Sequence, residues 1–535
     1  MPRPVSEASQ PRPQLVPVPV DAPGALGLNL SAQQSVLSPK YCIEASNCVI
    51  DQLGRVAARN GRTTISSVAA AGQVRSIFEY ITSTGGSLPI IGFDGGISSS
   101  LTNPSGSSLV GTISSVASGR WYFQNFLNKC IGFQSGQKPI VMQNQAGTFS
   151  NIVEASGSAP QGGIGTCAYG RVWGMASDGF TLQWCALGDE TNWAAGDAGS
   201  IDLRRVWPKG IDVVTGICGF GGMLVIFGIR QIIMYGSSSA TVLGLDVTQL
   251  RVVDVVENVG CISQWTIAHV GGEEEQSDVL FCSQLGIQSL QRLVLISGSH
   301  PIQQLSKKCR DAVVSQLSGE ASNSAISGYY SPTNGFYALA LPTNQQTWIA
   351  DMRHTYQDED QDLVCRMTRW PFAPTAMFEF AVGTNARNNY FASATAGKVQ
   401  QYVAGGGDDA SLYTITLQLP WMDLGQDYAS RLKALKRVGA LLYSASSRQV
   451  TFTWYADFSS QAVGSKVLTT TGGTGAQWGL AQWGVDQWGG AGLLTLLYAN
   501  ASGAGQYFSL SISTSSDSNF AIQQASLLAK LLRLA

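Results

Sequence analysis

Short apolar runs that alternate with polar residues dominate the chain, and Gly, Asn, Asp and Ser punctuate them. Tyr337-Ala-Leu-Ala-Leu and Val450-Thr-Phe-Thr-Trp-Tyr are typical. Successive strand side chains point to opposite faces, so this period-2 pattern predicts strands joined by tight turns. Helical periodicity is sparse. Asp311 to Leu317 is one candidate helix. The stretch from Gln523 to Leu534, QQASLLAKLLRL, has strong helix propensity but also reads as a buried strand.

A loose repeat organises the strands. Seven blocks read strand, tight polar turn, strand. They are PIIGFDGGISSSL from Pro89, CIGFQSGQKPIVMQ from Cys130, RVWGMASDGFTLQWC from Arg171 and MLVIFGIRQIIMYG from Met223. DVLFCSQLGIQSLQ from Asp278, GFYALALPTNQQTWIAD from Gly335 and NYFASATAGKVQQYV from Asn389 follow. With Ile90, Ile131, Val172, Leu224, Val279, Phe336 and Tyr390 as equivalent points, the steps are 41, 41, 52, 55, 57 and 54 residues. A four-stranded propeller blade takes about 40–50 residues. Each block is then one hairpin of a blade, and packing of blades around an axis supplies the core that one blade cannot make alone. The expectation is an all-β chain with a β-propeller of six or seven blades over residues 75–405.

Two regions fall outside the repeat. Residues 25–74 carry short strands around turn glycines, as in ALGLNL and NCVIDQLGRVAARNGRTTI. Residues 406–535 form a second β region of long alternating strands, which predicts a sandwich-like domain. A propeller inserted between two halves of one domain accounts for both, so the N-terminal segment is expected to pack with the C-terminal region. Residues 1–24 are Pro-rich and predict an extended arm.

Composition narrows the class. Of the 535 residues 44% are hydrophobic, ample for a core, but only 13% are charged. A typical soluble protein has about 25%. A free monomer keeps itself soluble with surface charge. A chain that omits it is expected to cover much of its surface with partners, the alternative being a secreted β protein with a Ser/Thr-rich surface. The net charge of −2 gives no overall electrostatic footprint for nucleic acid. There is no run of about 18 apolar residues to span a membrane, and the N-terminus lacks the apolar segment of a secretory signal. The ten cysteines (Cys42, Cys48, Cys130, Cys167, Cys185, Cys218, Cys261, Cys282, Cys309 and Cys365) are dispersed without a CxxC. They are expected to be reduced and buried.

Catalytic signals are nearly absent. His269, His300 and His354 form no metal-ligand pair. There is no GxSxG elbow, phosphate-binding loop or complete GxGxxG. Asp178, Asp189, Glu190 and Asp197 lie near turns, where a glycosidase carboxylate pair is one reading and ordinary turn residues the other. Glu273-Glu274-Glu275 and Asp358-Glu359-Asp360 with Asp362 lack the spacing of a calcium loop and read as solvated loop tips or a metal site. Basic residues cluster at Arg204, Arg205 and Lys209, at Lys307, Lys308 and Arg310, and at Arg431, Lys433, Lys436 and Arg437. Subunit contacts or solvated faces are the expected roles. In QWGLAQWGVDQWG, residues 477–489, Trp478, Trp483 and Trp488 recur every five residues. That spacing fits neither helix nor strand and predicts successive tight turns, serving a structural stack or a carbohydrate patch. No catalytic, cofactor-binding or metal-ligating residue is assigned, and the chain is not expected to be an enzyme.

Several segments, taken in order, resemble a known family. They begin with Ala45-Ser-Asn-Cys-Val-Ile-Asp-Gln-Leu-Gly-Arg-Val and Arg59-Asn-Gly61. Gly170-Arg-Val-Trp-Gly, Ser177-Asp-Gly and Leu187-Gly-Asp-Glu-Thr-Asn-Trp193 follow. Then come Val214-Thr-Gly-Ile-Cys-Gly-Phe, Leu224-Val-Ile-Phe-Gly, Ile232-Ile-Met-Tyr-Gly236 and Pro420-Trp-Met-Asp-Leu-Gly425 with Lys436-Arg437. Their succession is similar to that of the tail hub or nozzle proteins of short-tailed bacteriophages (podoviruses), including the packaged-DNA stabilisation family. The resemblance spans residues 45 to 445, and the Trp-Gly run and Pro-rich arm stand outside it.

The resemblance implies a structural virion protein: a homohexameric ring below the portal adaptor. It would continue the DNA channel without sequence-specific binding and retain the genome until ejection. Tail fibres or spikes, and a plug or needle, would be neighbours. The protein would reside in the phage tail, passing through host cytoplasm during assembly, with no cofactor. The rivals from other classes are a carbohydrate-binding, receptor-recognising propeller and a glycan-cleaving enzyme.

Overall fold

The computed structural model describes residues 15–70, 72–104, 110, 119–237, 245–271, 278–290, 304–360, 362–381, 387–393, 397–403, 406–424, 431–471, 494–516 and 519–532. His300, Glu273-Glu274-Glu275, the Trp-Gly run and the first fourteen residues lie outside the described residues. The chain divides into two compact units. One is Asn60–Ala410, and the other joins the two ends of the chain, up to Arg59 and from Ser411.

Asn60–Ala410 is a β-propeller. Among the described residues, seven groups of antiparallel strands follow one another along it, six of them separate sheets. Their inner strands are Val74–Ile81, Tyr122–Phe126, Gly165–Ala168, Val214–Phe220, Ala268–Val270, Ser327–Ser331 and Met377–Ala381. Each touches the next, the fourth through the 3₁₀ turn Gln264–Thr266, and Met377–Ala381 returns to Val74–Ile81. The seven sequence blocks are the second and third strands of the seven sheets. Ile90, Ile131, Val172, Leu224, Val279, Phe336 and Tyr390 all sit on second strands, and all are buried. These strands are covered on both faces by neighbouring sheets, which is why they read as apolar runs.

The cores lie between sheets. Tyr80, Ile90, Trp121, Phe123 and Ile140 join the first sheet to the second. Trp173, Leu182, Leu224 and Ile233 join the third to the fourth. Phe227 and Phe281 meet with ring centroids 5.0 Å apart between the fourth and fifth. The ring closes on the seventh sheet. Its strands Met377–Ala381, Arg387–Ala392 and Val399–Val403 come from the end of the unit. Its outer strand, Gly61–Thr64, comes from the beginning, with Val403 opposite Gly61 and Gln400 opposite Thr64.

That strand moves the first boundary. The segment expected over residues 25–74 to pack with the C-terminal region instead divides at Asn60, and its remainder is propeller. Gly61–Thr64 is a short polar strand at the rim of a sheet, with no apolar alternation to announce it. The arm expected over residues 1–24 also becomes structured from Leu15. Leu15–Asp21 pairs antiparallel with Phe520–Leu531. Pro17 and Pro19 are spaced by two, so their missing N–H groups fall on one side of the strand, the arrangement an edge strand permits.

The second unit contains two antiparallel sheets. The longest pairing in the first joins Lys433–Ser444 to Phe520–Leu531. The second takes Glu44–Ser46, Tyr413–Gln418, Phe508–Ser516, Gln449–Ala456 and Gly464–Thr469 in that order. Gly24 turns the chain at φ +69°, and a Cβ there would meet Leu417 of the second sheet at 2.8 Å and Val56 of the first at 3.3 Å. Phe520–Leu531 is a strand rather than a helix. Ala525, Leu527 and Ala529 alternate into the core, and sheet pairing overrides helix propensity. The expected helix at Asp311–Leu317 is present as Arg310–Ser318.

Arg59 stitches this unit together. It is buried, donates from Nε to Asn47 Oδ1 at 2.7 Å, and lies 3.9 Å over the Tyr413 ring. Asn47 adopts φ +55° and donates from Nδ2 to the Thr414 carbonyl at 2.7 Å. The opening Asn and Arg of the family-like pattern are therefore structural here. All ten cysteines are free thiols, nine of them buried.

Phe227 is fully buried. Phe227→Asp should unfold the propeller, because an unpaired buried charge costs several kcal/mol. Val153→Asp, at a site 82% exposed, should leave the thermal melt within about 0.5 kcal/mol of the parent. Equal melts for both variants would refute the inter-sheet core.

Candidate functional site

A cavity of about 410 Å³ opens among the inner strands of the propeller. Its walls come from the first, second, fifth, sixth and seventh sheets and from the turn Gln264–Thr266. Clamped neighbours fix that turn. The Gln264 amide accepts from Ile217 N–H at 2.6 Å and donates to the Ile217 carbonyl at 3.0 Å. The Thr266 carbonyl accepts from Tyr337 O–H at 2.7 Å. A Cβ at Gly328, on the adjoining strand, would collide with that tyrosine oxygen, so glycine lets the two strands close. Trp265, between two buried residues, projects its ring into the cavity.

Arg120 lies over this ring, its guanidinium carbon 4.2 Å from the centroid. Tyr122 meets the same ring edge-on at 5.2 Å. Arg120 donates from Nη1 to the Ile326 carbonyl at 3.1 Å and to the Ser324 carbonyl at 3.4 Å. Its Nε is enclosed and has no partner. Burial, with help from the Arg75 charge, pushes Arg120 down to about 9, which still leaves it a cation at neutral pH. Across the cavity, Phe78 packs on Phe378 at 5.5 Å, and Tyr329 on Phe378 at 6.4 Å.

Two buried glutamates stand on this side. Glu379 Oε2 accepts from Ser331 Oγ at 2.8 Å and Oε1 from Thr333 Oγ1 at 2.6 Å. Glu79 Oε1 accepts from Ser87 Oγ at 2.7 Å. Arg387 reaches both, at 3.2 Å from Glu79 Oε2 and 3.6 Å from Glu379 Oε1. Tyr329 donates to Asn389 Oδ1 at 2.9 Å, and burial together with the Glu379 charge keeps its phenol protonated. Every oxygen of the two carboxylates is therefore engaged. His269 also lines the cavity. The arrangement offers one cation short of acceptors, aromatic faces and a few donors, all suited to holding a ligand.

Sequence reading named His269 but missed Arg120, Trp265, Glu79 and Glu379, which gather only when distant strands form the ring. The turn carboxylates it named lie in the third sheet. Asp178 accepts from Phe180 and Thr181 N–H, and Asp189 from Thr191. Glu190 is buried against Lys129 at 2.5 Å, and Asp197 pairs with Arg171. The acidic run Asp358 to Asp362 and the basic pair Lys307 and Lys308 form one network. Lys307 Nζ contacts Asp358, Asp360 and Asp362 at 3.0, 2.8 and 2.5 Å, and Lys308 contacts Glu359 at 2.8 Å. Glu359 and Asp360 are exposed, as at a solvated loop tip, while Asp358 is buried and an ammonium sits among the three aspartates. Of the other basic residues, Arg204 pairs with Asp202, Lys209 with Glu257, and buried Lys433 donates to the Gln506 carbonyl. His354 lies on the strand Gln346–Gln357, outside the cavity lining.

No protein-family model matches the chain, and no curated protein matches its sequence. Among solved structures it is similar to the β-propeller domain of Cps50 (Swd1) from Myceliophteria thermophila, at 10% identity and TM-score 0.37, over 64% of this chain and 100% of that one. It is also similar to PorZ, a surface component of the type-IX secretion system of Porphyromonas gingivalis, at 10% identity and TM-score 0.32, over 71% and 44%. BBS1N, from its complex with ARL6DN, matches at 11% identity and TM-score 0.30, over 73% and 98%. No helix among the described residues is long and apolar enough to cross a membrane.

Glu379→Leu should lower propeller stability by about 1–3 kcal/mol in urea titration, since it leaves the Ser331 and Thr333 hydroxyls without their acceptor. A loss under 1 kcal/mol would show that the network is not structural. Acid should act through Asp197. Arg171 holds its carboxyl below the usual range, so its stabilisation is complete above the unfolded pKa, about 3.9, and is lost as pH falls through the lowered folded value. Arg171→Met should show a smaller drop in urea midpoint than the parent between pH 6 and pH 3.

Proposed function

We propose that this protein is a structural component of a short-tailed phage virion, the ring-forming nozzle that continues the DNA channel below the portal adaptor. The observation that carries the proposal is an apolar sheet face left exposed among the described residues, on a chain poor in charge. On the strand Leu494–Asn500, Leu494, Leu496 and Tyr498 point outward and are 49%, 53% and 43% exposed. Directly opposite them stand Tyr443, Leu441 and Gly439. Leu441 and Tyr443 share that outward face and are only partly buried. Arg437, over the Tyr498 ring at 4.3 Å, and Arg55, over Tyr443 at 5.2 Å, border it. A contiguous apolar face with a polar rim is the mark of a protein contact. With 13% charged residues, a second copy of the same chain is the natural occupant.

The order of family-like segments supports the ring of six, the adaptor above it and the fibres or plug beside it. The propeller supports mechanical retention: each sheet is locked between two neighbours, so local opening is costly. Packaged DNA is self-repelling and pushes outward, so a retaining ring stays closed or plugged until the particle meets a host. The near-neutral net charge suits a conduit that DNA crosses without sticking. No catalytic step is part of this role.

The test has two arms. Native mass spectrometry of assembled tails should give a hexamer, and a double change, Leu494→Asp with Leu496→Asp, should abolish it while the propeller keeps its melting temperature. Phage lacking the protein should fill its heads and then lose the DNA, as measured in purified heads. Full, stable heads that fail only to adsorb would sink the nozzle reading and favour receptor recognition.

A further inference from the structure

We infer that the axial cavity of the propeller is a binding site for an acidic sugar, with Arg120 receiving its carboxylate. Its basis is a guanidinium that lines the cavity with no ion-pair partner among the described residues. Around the cavity, Glu79, Glu379 and Arg387 satisfy one another and the surrounding hydroxyls. Arg120 has no such counterpart. Among the described residues no carboxylate forms an ion pair with it, and its contacts are two backbone carbonyls and the face of Trp265. A guanidinium presents five donors in a rigid fork that matches a carboxylate. A partly buried guanidinium held only by neutral acceptors gains charge-assisted hydrogen bonds when a carboxylate joins it.

The walls select the rest of the ligand. The Trp265 face is occupied by Arg120 itself, which holds the guanidinium in one orientation. Half-buried Tyr330 also lines the cavity and offers an apolar face of the kind that stacks on the C–H side of a sugar ring. Gln124 and His269 also line the space and can exchange hydrogen bonds with hydroxyls. The volume of about 410 Å³ falls within the range of about 300–1,000 Å³ found for small-molecule sites. A bare inorganic anion would leave these aromatic walls unused, and a neutral sugar would leave Arg120 unpaired.

This inference is independent of the nozzle proposal, and its failure would leave that proposal standing. The experiment is titration of the purified full-length chain at pH 7 with D-glucuronate, D-glucose and inorganic phosphate, followed by calorimetry and tryptophan fluorescence. D-glucuronate should bind saturably and change Trp265 emission. Glucose and phosphate should each bind at least tenfold more weakly. Arg120→Met should weaken glucuronate at least tenfold. If that variant fails to fold by circular dichroism, Tyr330→Ala provides the second reading. It should weaken glucuronate at least threefold and leave phosphate unchanged. Phosphate binding as tight as glucuronate, glucuronate affinity unchanged in a folded variant, or no saturable binding at all would each overturn the assignment.

Discussion

The pairing of Gly61–Thr64 with Val399–Val403 is the constraint on which the propeller depends. A propeller blade has no core of its own: its apolar strands are buried only because another sheet stands on each side. An open row would expose two such faces, one at each end. Here the last sheet is completed by a strand from the beginning of the unit, and Arg62 adds an ion pair to Asp408 at 2.8 Å across the same seam. Closing the ring turns seven individually unstable hairpins into one cooperative body.

Closure also decides where the chain goes next. Because first and last strands share a sheet, the points at which the chain enters and leaves the propeller lie side by side, at Asn60 and Ala410. The two remaining ends are then free to build one further unit between them. They do so through strands of very different sequence position, with Glu44–Ser46 beside Tyr413–Gln418 and Leu15–Asp21 beside Phe520–Leu531. Arg59 supports the junction of these segments from the inside, bonded to Asn47 and stacked on Tyr413.

The same closure produces the axial cavity and its electrostatics. Charges that are far apart in sequence become neighbours at low dielectric, where each must find a partner or leave a cost unmet. Glu79 and Glu379 share Arg387, and Lys307 satisfies three aspartates on another loop. Arg120 is the cation for which the ring supplies aromatic contact and carbonyls but no carboxylate among the described residues.

The strand grammar was legible from the residues alone. Each of the seven blocks is a real hairpin, because period-2 alternation and turn glycines are local signals that the fold obeys. The short helix at Arg310–Ser318 was legible because helical periodicity is likewise a local signal. The strand Gly61–Thr64 was not, since four polar residues at a sheet rim carry no pattern until their partner is known. The final strand was ambiguous because Leu, Ala and Lys favour helix in isolation, and only pairing with Lys433–Ser444 and Leu15–Asp21 settles it. The cavity followed the same rule. Sequence by itself determined which residues form strands and where they turn, because those depend on neighbours along the chain. The tertiary structure decided the closure, the domain boundary and the company of Arg120, because those depend on neighbours hundreds of residues away.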